Sequence, residues 1–260
     1  MTIMPFRPIV LLCAFFFLFL TGGSAMAGSV VLFDQAHSQQ FLAEGNRPLD
    51  LSGLATIFRK QGGEIHTTST PLSDQSLRDV AVLIISGPFA PLSPGEAAAV
   101  MRFVARGGSL AVMAHITQPL MGLLPRLDIA VSSLAVSEQE NIIAGQPENF
   151  LAKDLTPHPL TRDLQHISIY GGWALLAKNP TITVVARTSP RAWVDLNNDG
   201  RQSEVDAIQP FAMILAGSFN KGRFVVFGDD ALFQNQFLAG DNRKLAHNLA
   251  KWLLGSGLSI

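Results

Sequence analysis

The chain has 260 residues and is close to neutral, with 19 Lys and Arg against 20 Asp and Glu. It lacks the basic surplus of a nucleic-acid-binding protein, so we expect no nucleic-acid partner. Its hydrophobic content of 48% and its length are sufficient for one large domain with a substantial core.

The first 27 residues have the pattern of a secretory signal peptide. Arg7 precedes an apolar run at 9–20, and Ala25-Met26-Ala27 follows as a cleavage motif. The run is shorter than the roughly 20 residues that a membrane-spanning helix needs. We therefore expect cleavage after Ala27 and a periplasmic or secreted protein, residues 28–260, with no permanent membrane anchor.

The only cysteine of the sequence, Cys13, lies in this predicted signal peptide. The mature protein would therefore have no disulfide, no cysteine nucleophile and no thiolate metal site. Its stability must come from the packing of its core.

In the first half of the chain, short β-rich apolar runs alternate with segments of helical spacing. The apolar runs predict strands at 29–33, 64–67, 80–85 and 109–114. Asp50 is placed to cap a helix that ends at Gly62. Because strand–helix–strand connections lay strands parallel, the carboxyl ends of these strands should meet at one edge of the sheet.

The clearest helix start lies before the fourth strand. Ser93 is a cap, Pro94 occupies the first turn, and Glu96 completes a capping box. A buried stripe follows, and Gly107-Gly108 ends the helix. This motif predicts a helix packed against the sheet.

The second half of the chain has apolar runs separated by turns rather than by helices. These runs predict hairpins that return to the sheet, with a hairpin insertion near 180–215, and a final helix at 242–254. Together the two halves predict a single α/β domain with a mainly parallel central sheet and a β-hairpin-rich second half.

Polar side chains follow several of the predicted strands at the point where each strand ends. In open α/β sheets, ligands bind outside the carboxyl ends of the strands. We therefore expect a pocket there for a small polar ligand or a loop of a partner protein. The residues predicted to line it are Asp34, His37, Ser86, His115, Asp229, Asp230 and Asn235.

Three interpretations of this set stay open. The first is a non-catalytic binding module. The second is a hydrolase of glycans or peptides that uses a carboxylate–histidine pair, with or without a metal. The third is a structural network in which Asp34 and Asp229 hold loop backbones.

The sequence lacks the motifs of several enzyme classes. A nucleophile elbow such as GxSxG is absent, and the nearest candidate, Ser86, is followed by two prolines before the next helix begins. No HExxH spacing supports a metal centre in this set. Neither GxGxxG nor a P-loop follows any strand, so we expect no nucleotide cofactor.

The segment DLNNDGRQSEVD has the ligand spacing of an EF-hand calcium loop, with Gly200 at the position of the sharp bend. Its flanks favour strands rather than helices, so a hairpin connection built from Asx turns is the alternative. If Ca²⁺ binds, we expect it to stabilise the fold rather than to take part in catalysis. The residues predicted to hold it are Asp195, Asn197, Asp199, Arg201 through its carbonyl, Ser203 and Asp206.

Five segments resemble, in order, the uncharacterised bacterial proteins of the gliding-motility and intraflagellar-transport domain group. They are VVLFDQAH, LSPGEAAAVMRFVARGGSLAVMA, HPLTRDL, KGRFVVFGDDALFQNQF and DNRKLAHNLAKWLLG. That group looks like a branch of the class I glutamine amidotransferase-like superfamily. The resemblance covers most of residues 28–260.

The resemblance implies a flavodoxin-like three-layer α/β sandwich without the catalytic cysteine of the superfamily. It also implies a role through binding, as an accessory component of ABC-type export, gliding or ciliary transport machinery. The calcium-like loop is a departure from the group.

Overall fold

The structure is a computed structural model that describes residues 28–197 and 201–255. The predicted signal peptide, Cys13 and residues 198–200 of the calcium-like segment lie outside these ranges. None of the helices within the described ranges has the length and apolarity required to cross a lipid bilayer.

The described residues form three α-helices and a larger number of strands. The helices are α1 (Ser52–Lys60), α2 (Pro94–Ala105) and α3 (Gly240–Leu254). The strands are β1 (Ser29–Asp34), β2 (Gly63–Thr68), β3 (Val80–Ser86), β4 (Ser109–Met113), β5 (Ile129–Ser137), β6 (Ile142–Ile143), β7 (Gln146–Ala152), β8 (Asp154–Leu155), β9 (Ile167–Tyr170), β10 (Trp173–Ala177), β11 (Thr183–Arg187), β12 (Trp193–Val194), β13 (Ala207–Ile208), β14 (Ala212–Phe219) and β15 (Gly222–Phe227).

Twelve of these strands form one mixed sheet. Strands β2, β1, β3, β4 and β15 lie side by side and are parallel. From β15 onward the pairing is antiparallel, through β14, β10, β5, β12 and β13, with β11 and β8 branching from β14. Strands β6, β7 and β9 form a separate small sheet.

The prediction of an α/β fold is confirmed, whereas a mainly parallel sheet is correct only for the five-strand block. The hairpins of the second half do not lie beside the sheet but extend it. In the predicted insertion, β11 pairs with β14, and the β12–β13 hairpin pairs with β5. Each hairpin adds antiparallel pairs, which is why the sheet as a whole is mixed.

Helices cover both faces of the parallel block. Val31, Val82 and Ile84 pack in one core cluster with residues of α1 and α3. Their strand neighbours Leu32 and Leu83 point the other way and pack in a second cluster with α2. Because both faces are buried, these strands are continuous apolar runs, which is why they could be recognised in the sequence.

The start of α2 has the predicted capping box. The Ser93 hydroxyl accepts a hydrogen bond from the Glu96 amide at 3.3 Å, and Glu96 Oε2 accepts one from the Ser93 amide at 2.9 Å. This leaves Glu96 Oε1 available for other partners.

The start of α1 differs from the prediction, because Asp50 does not cap it. Its carboxylate instead accepts hydrogen bonds from the amides of Leu42 and Arg47. The cap is supplied from the far end of the chain, where Asn235 Oδ1 accepts a hydrogen bond from the Gly53 amide at 2.8 Å. Asp50 lies one residue before the N-cap position, Leu51, and its side chain is already used by the preceding loop.

Candidate functional site

The first predicted site residues, at the end of β1, form a buried network. His37 Nδ1 lies 2.7 Å from Asp34 Oδ2, and His37 Nε2 lies 3.0 Å from Glu96 Oε1. Gln39 donates a further hydrogen bond to Asp34, and all four side chains are buried. Both ring nitrogens of His37 are therefore already occupied.

The electrostatics of this network favour a positively charged imidazole. Burial lowers the pKa of His37, but the hydrogen bond and charge of Asp34, together with Glu96, outweigh it and raise this pKa above 6.5. The carbonyl of His37 accepts hydrogen bonds from the amides of Phe89 and Ala90, each at 2.9 Å. The network thus fastens the loop after β1 to the loop after β3 and to the start of α2.

A second group of predicted residues lies where β4 and β15 end. His115 Nδ1 is 3.1 Å from Asp230 Oδ1, and the indole of Trp173 donates to the His115 carbonyl at 3.0 Å. The His115 side chain is 36% exposed. Its Nε2 has no hydrogen-bond partner among the residues that the structure describes.

Two aromatic rings flank His115. The ring centroids of Phe41 and Phe89 lie 5.0 Å and 5.1 Å from that of the imidazole. Phe89 is itself exposed. The hydrogen bond to Asp230, together with the charges of Asp230 and Asp229, outweighs the opposing effect of burial and raises the pKa of His115. We call His115, Asp230, Phe41 and Phe89 the His115 cluster.

Asp230 of this cluster is buried, and so is the preceding residue, Asp229. The carboxyl oxygens of Asp229 accept hydrogen bonds from the amides of Tyr170, at 2.8 Å, and Ala231, at 2.7 Å. Burial, together with the nearby Asp230, raises the pKa of Asp229 to about 8. Burial also raises the pKa of Asp230, whose Oδ2 has no hydrogen-bond partner within the described part of the chain. At neutral pH the pair therefore holds less than its full negative charge.

The loop after β3 closes against the same acids. Gly87 has φ +53°, and a Cβ atom at this position would lie 2.5 Å from Asp230 Oδ2 and 3.4 Å from the Cβ of His115. Only glycine combines this backbone conformation with so close an approach. The preceding Ser86 hydroxyl is buried and has no hydrogen-bond partner in residues 28–197 and 201–255, so it does not bond to His115.

The predicted set is thus divided into separate hydrogen-bonded groups. Asp34 and His37 belong to the network with Glu96, whereas His115 is bonded to Asp230, and Asp229 accepts from the backbone amides of Tyr170 and Ala231. Asn235 is engaged elsewhere, because it caps α1 and donates to the carbonyl of Arg47 at 2.9 Å.

The sequence did not predict that Glu96, Phe41 and Phe89 contact the two histidines of the site. Glu96 carried a signal, but the capping box accounts for only one of its oxygens. Phe41 and Phe89 lie in loops with no periodic pattern that would bring them to His115.

The calcium-like segment joins β12 to β13. Asp206 accepts hydrogen bonds from the Leu196 amide at 2.9 Å, the Ser203 amide at 2.6 Å and the Ser203 hydroxyl at 3.1 Å. Asp195, Asn197 and Arg201 lie in the same connection, and Asp199 is outside the described residues. Within 28–197 and 201–255, no group of three or more His, Cys, Asp or Glu could hold a metal ion.

Solved structures with a similar fold share little sequence with this chain. The N-terminal domain of mmIFT52 has a TM-score of 0.69 and 17% identity, over 89% of this chain and 99% of that one. A cytoplasmic protein from Salmonella typhimurium LT2 has a TM-score of 0.56 and 12% identity, over 86% of this chain and 99% of that one. At such identities the similarity concerns the fold alone.

No curated protein matches the chain significantly. A family match does exist, and it covers most of the chain. With residues 45–250 matched, the chain belongs to the family described as Domain of unknown function (DUF4350).

Proposed function

We propose that the chain is a non-catalytic binding module whose ligand or partner contacts the His115 cluster. The observation that carries this proposal is the difference between the two histidines. Both ring nitrogens of His37 are bonded inside the protein, whereas His115 leaves Nε2 unbonded at a partly exposed position. Together with the exposed ring of Phe89, this nitrogen forms a contact surface for a small polar ligand or a protein loop.

Within the part of the chain that the structure describes, the one hydroxyl of the predicted set is not activated as a nucleophile, which favours binding over catalysis. A nucleophilic hydroxyl needs a hydrogen bond to its general base. Ser86 is buried and makes no such bond. His37, the other imidazole of the predicted set, cannot accept a proton from a ligand while both its nitrogens are engaged.

A hydrolase is the second candidate, and one specific observation favours it. Asp230 holds His115 Nδ1 and leaves Nε2 open, as the carboxylate of a catalytic triad orients its histidine. In that case His115 would be a general base that activates water against a glycan or peptide bond.

One experiment distinguishes the two candidates. Monosaccharides, amino acids and short peptides would be titrated into the purified protein while the imidazole resonances of His115 and the half-buried His158 are followed by NMR. We expect at least one compound to shift His115 alone, without turnover, and His115→Ala to abolish that binding. His66→Ala, at an exposed position, is the matched control. Turnover that is lost in His115→Ala would establish the hydrolase, and failure of every compound to shift His115 would contradict a small-ligand site.

We further propose that the domain is flavodoxin-like and related to the glutamine amidotransferase-like and gliding-motility/intraflagellar-transport groups. The helices on both faces of the parallel block and the similarity to the mmIFT52 domain support this relationship. From the resemblance to the gliding-motility/intraflagellar-transport group, and from the signal peptide predicted at residues 1–27, we propose an extracytoplasmic accessory role in an export or surface-assembly system. Cell fractionation of the tagged full chain tests the location.

We also propose that the connection between β12 and β13 binds Ca²⁺ and that this binding stabilises the fold. A ligand that binds only the folded state must raise the melting temperature. We expect a rise with millimolar Ca²⁺ that is absent with Mg²⁺ and absent in Asp195→Ala. An equal rise in the variant would contradict the site.

A further inference from the structure

A polar cleft lies between helices α1 and α3, away from the His115 cluster. Its volume is about 470 Å³. One wall is a single face of α1, with Gly53, Thr56 and Lys60 at successive turns, and the opposite wall carries Arg243 and His247 of α3. The cleft is therefore lined by cationic and hydroxyl groups, and none of its lining residues is acidic.

The cations of this region are not neutralised by the protein. Among the described residues, no carboxylate lies within ion-pair distance of Lys60, Arg243 or the neighbouring Lys251. In contrast, Lys244 of the same helix pairs with Asp241 at 2.8 Å. The net charge of the chain is only −1, yet unpaired positive charges lie together in this cleft.

The geometry holds these charges close to one another. Arg243 is anchored by a hydrogen bond from its Nε to the Leu238 carbonyl at 3.2 Å, which leaves its other guanidinium groups free. Burial, together with the charges of Lys251, Arg243 and Lys60, lowers the pKa of His247. The folded protein therefore maintains a repulsion that a bound anion would relieve.

We propose that this cleft is a binding site for a phosphate-bearing ligand, held by Lys60, Arg243 and His247. Arg and Lys are the side chains that bind phosphate oxygens most strongly, through charge-assisted hydrogen bonds. The hydroxyl of Thr56 lines the same cleft and adds an uncharged hydrogen-bonding group. The amino terminus of α1 is not the binding feature, because Asn235 already occupies the Gly53 amide.

Such a phosphate can come from a soluble phosphorylated molecule or from a phospholipid headgroup. Inorganic phosphate and a soluble phosphate monoester represent the first source. Vesicles that contain phosphatidylglycerol, compared with vesicles of phosphatidylcholine alone, represent the second. The proposal requires that at least one of these probes binds through the cleft.

The test follows the His247 imidazole by NMR while each probe is added to the protein at constant ionic strength, and melting temperature is measured in parallel. We expect a bound phosphate to raise the pKa of His247 and to raise the melting temperature. The double variant Lys60→Gln, Arg243→Gln should weaken binding by about tenfold or more, because it removes two charged donors.

Lys244→Gln is the matched control, since it removes one charge from the same helix outside the cleft. Asp230→Asn, in the His115 cluster, should leave phosphate binding unchanged and so separates this site from the proposed function. If no probe shifts His247, or if Lys244→Gln weakens binding as much as the double variant, the cleft is not a phosphate site.

Discussion

The hydrogen bond to Asp230 controls the charge of His115. Of the two histidines in the predicted site, His115 is the one whose second ring nitrogen has no partner among the described residues. Asp230→Asn preserves the shape of the side chain and removes its charge. Because the hydrogen bond to Asp230 is the largest of the effects that raise the pKa of His115, this pKa should fall in the variant while the opposing effect of burial remains. The measurement is an NMR titration of the imidazole.

His158 provides the internal control for this titration. Its pKa is lowered by burial alone, and it packs against Trp252 rather than against an acid. It should titrate equally in both proteins. An unchanged His115 pKa in Asp230→Asn would mean that the aspartate does not set the charge of the cluster.

Gly87 offers a second test of the His115 cluster at the level of a single atom. Gly62 and Gly87 both have positive φ, but a Cβ at Gly62 would meet nothing within 4 Å, whereas one at Gly87 would approach Asp230. Gly62→Ala should therefore cost about 1 kcal/mol of the free energy of unfolding, from backbone conformation alone. Gly87→Ala should cost clearly more. Denaturant unfolding measures both, and equal costs would contradict the close packing of the loop against Asp230.

At the scale of an element, the first turn of α2 is tied to two other segments through Glu96. Its Oε1 accepts from the Leu72 amide at 3.0 Å and contacts His37, and its Oε2 closes the capping box. Glu96→Ala would leave several buried groups without partners, so we expect a loss of about 2 to 4 kcal/mol in the free energy of unfolding. Ser93→Ala removes only the cap and should cost about 1 kcal/mol.

Glu96→Gln is the matched variant for this comparison. It keeps the size of the side chain and one acceptor oxygen, so its cost should lie between those of the other two variants. If Glu96→Ala cost no more than Ser93→Ala, Glu96 would act only as a helix cap and the link to His37 would contribute nothing.

The elements that could be predicted are those whose own sequence determines them. Helix α2 was predicted from its capping box and apolar stripe, and the parallel strands from apolar runs that are buried on both faces. Helix α1 was also predicted, but its cap comes from Asn235 and not from Asp50. Strands β5 and β7 were not predicted, because β5 contains Ser132 and Ser133 and the exposed half of β7 is polar. These strands are stabilised by pairing with β10 and β9, which depends on distant parts of the chain.

The candidate site also depends on contacts between distant parts of the chain, which the sequence pattern does not show. The ends of parallel strands could be located from the sequence, and this placed Asp34, Ser86 and His115 at one edge of the sheet. The pattern does not contain the partners, since Glu96 lies 59 residues from His37 and Asp230 lies 115 residues from His115. Whether a polar side chain is free or bonded is decided by those partners.

At the scale of the whole molecule, two sets of ionisable groups oppose each other as the pH changes. Hydrogen bonds from Arg47 lower the pKa of Asp50 to about 2, so the stability that this group contributes is present above its unfolded pKa of 3.8 and is lost as the pH falls towards 2. Asp229, His115 and His37 act in the other direction, because each has a raised pKa in the folded protein.

These raised values predict that the protein loses stability as the pH rises from weakly acidic to weakly basic. Between pH 3.8 and about 8, folded Asp229 binds a proton that the unfolded chain releases, so the free energy of unfolding falls by at most about 1.4 kcal/mol per pH unit from this group. His115 and His37 add to the decline above pH 6.5, as the pH passes through their folded pKa values. His158 and His247, whose folded pKa values are lowered, oppose the decline below pH 6.5. Melting temperatures measured across this range should fall steadily and level off once Asp229 is ionised. Asp230→Asn removes the like charge beside Asp229, so the pKa of Asp229 should drop and the loss of stability with rising pH should become shallower. If the stability of the wild type instead rose with pH, Asp229 would already be ionised in the folded protein.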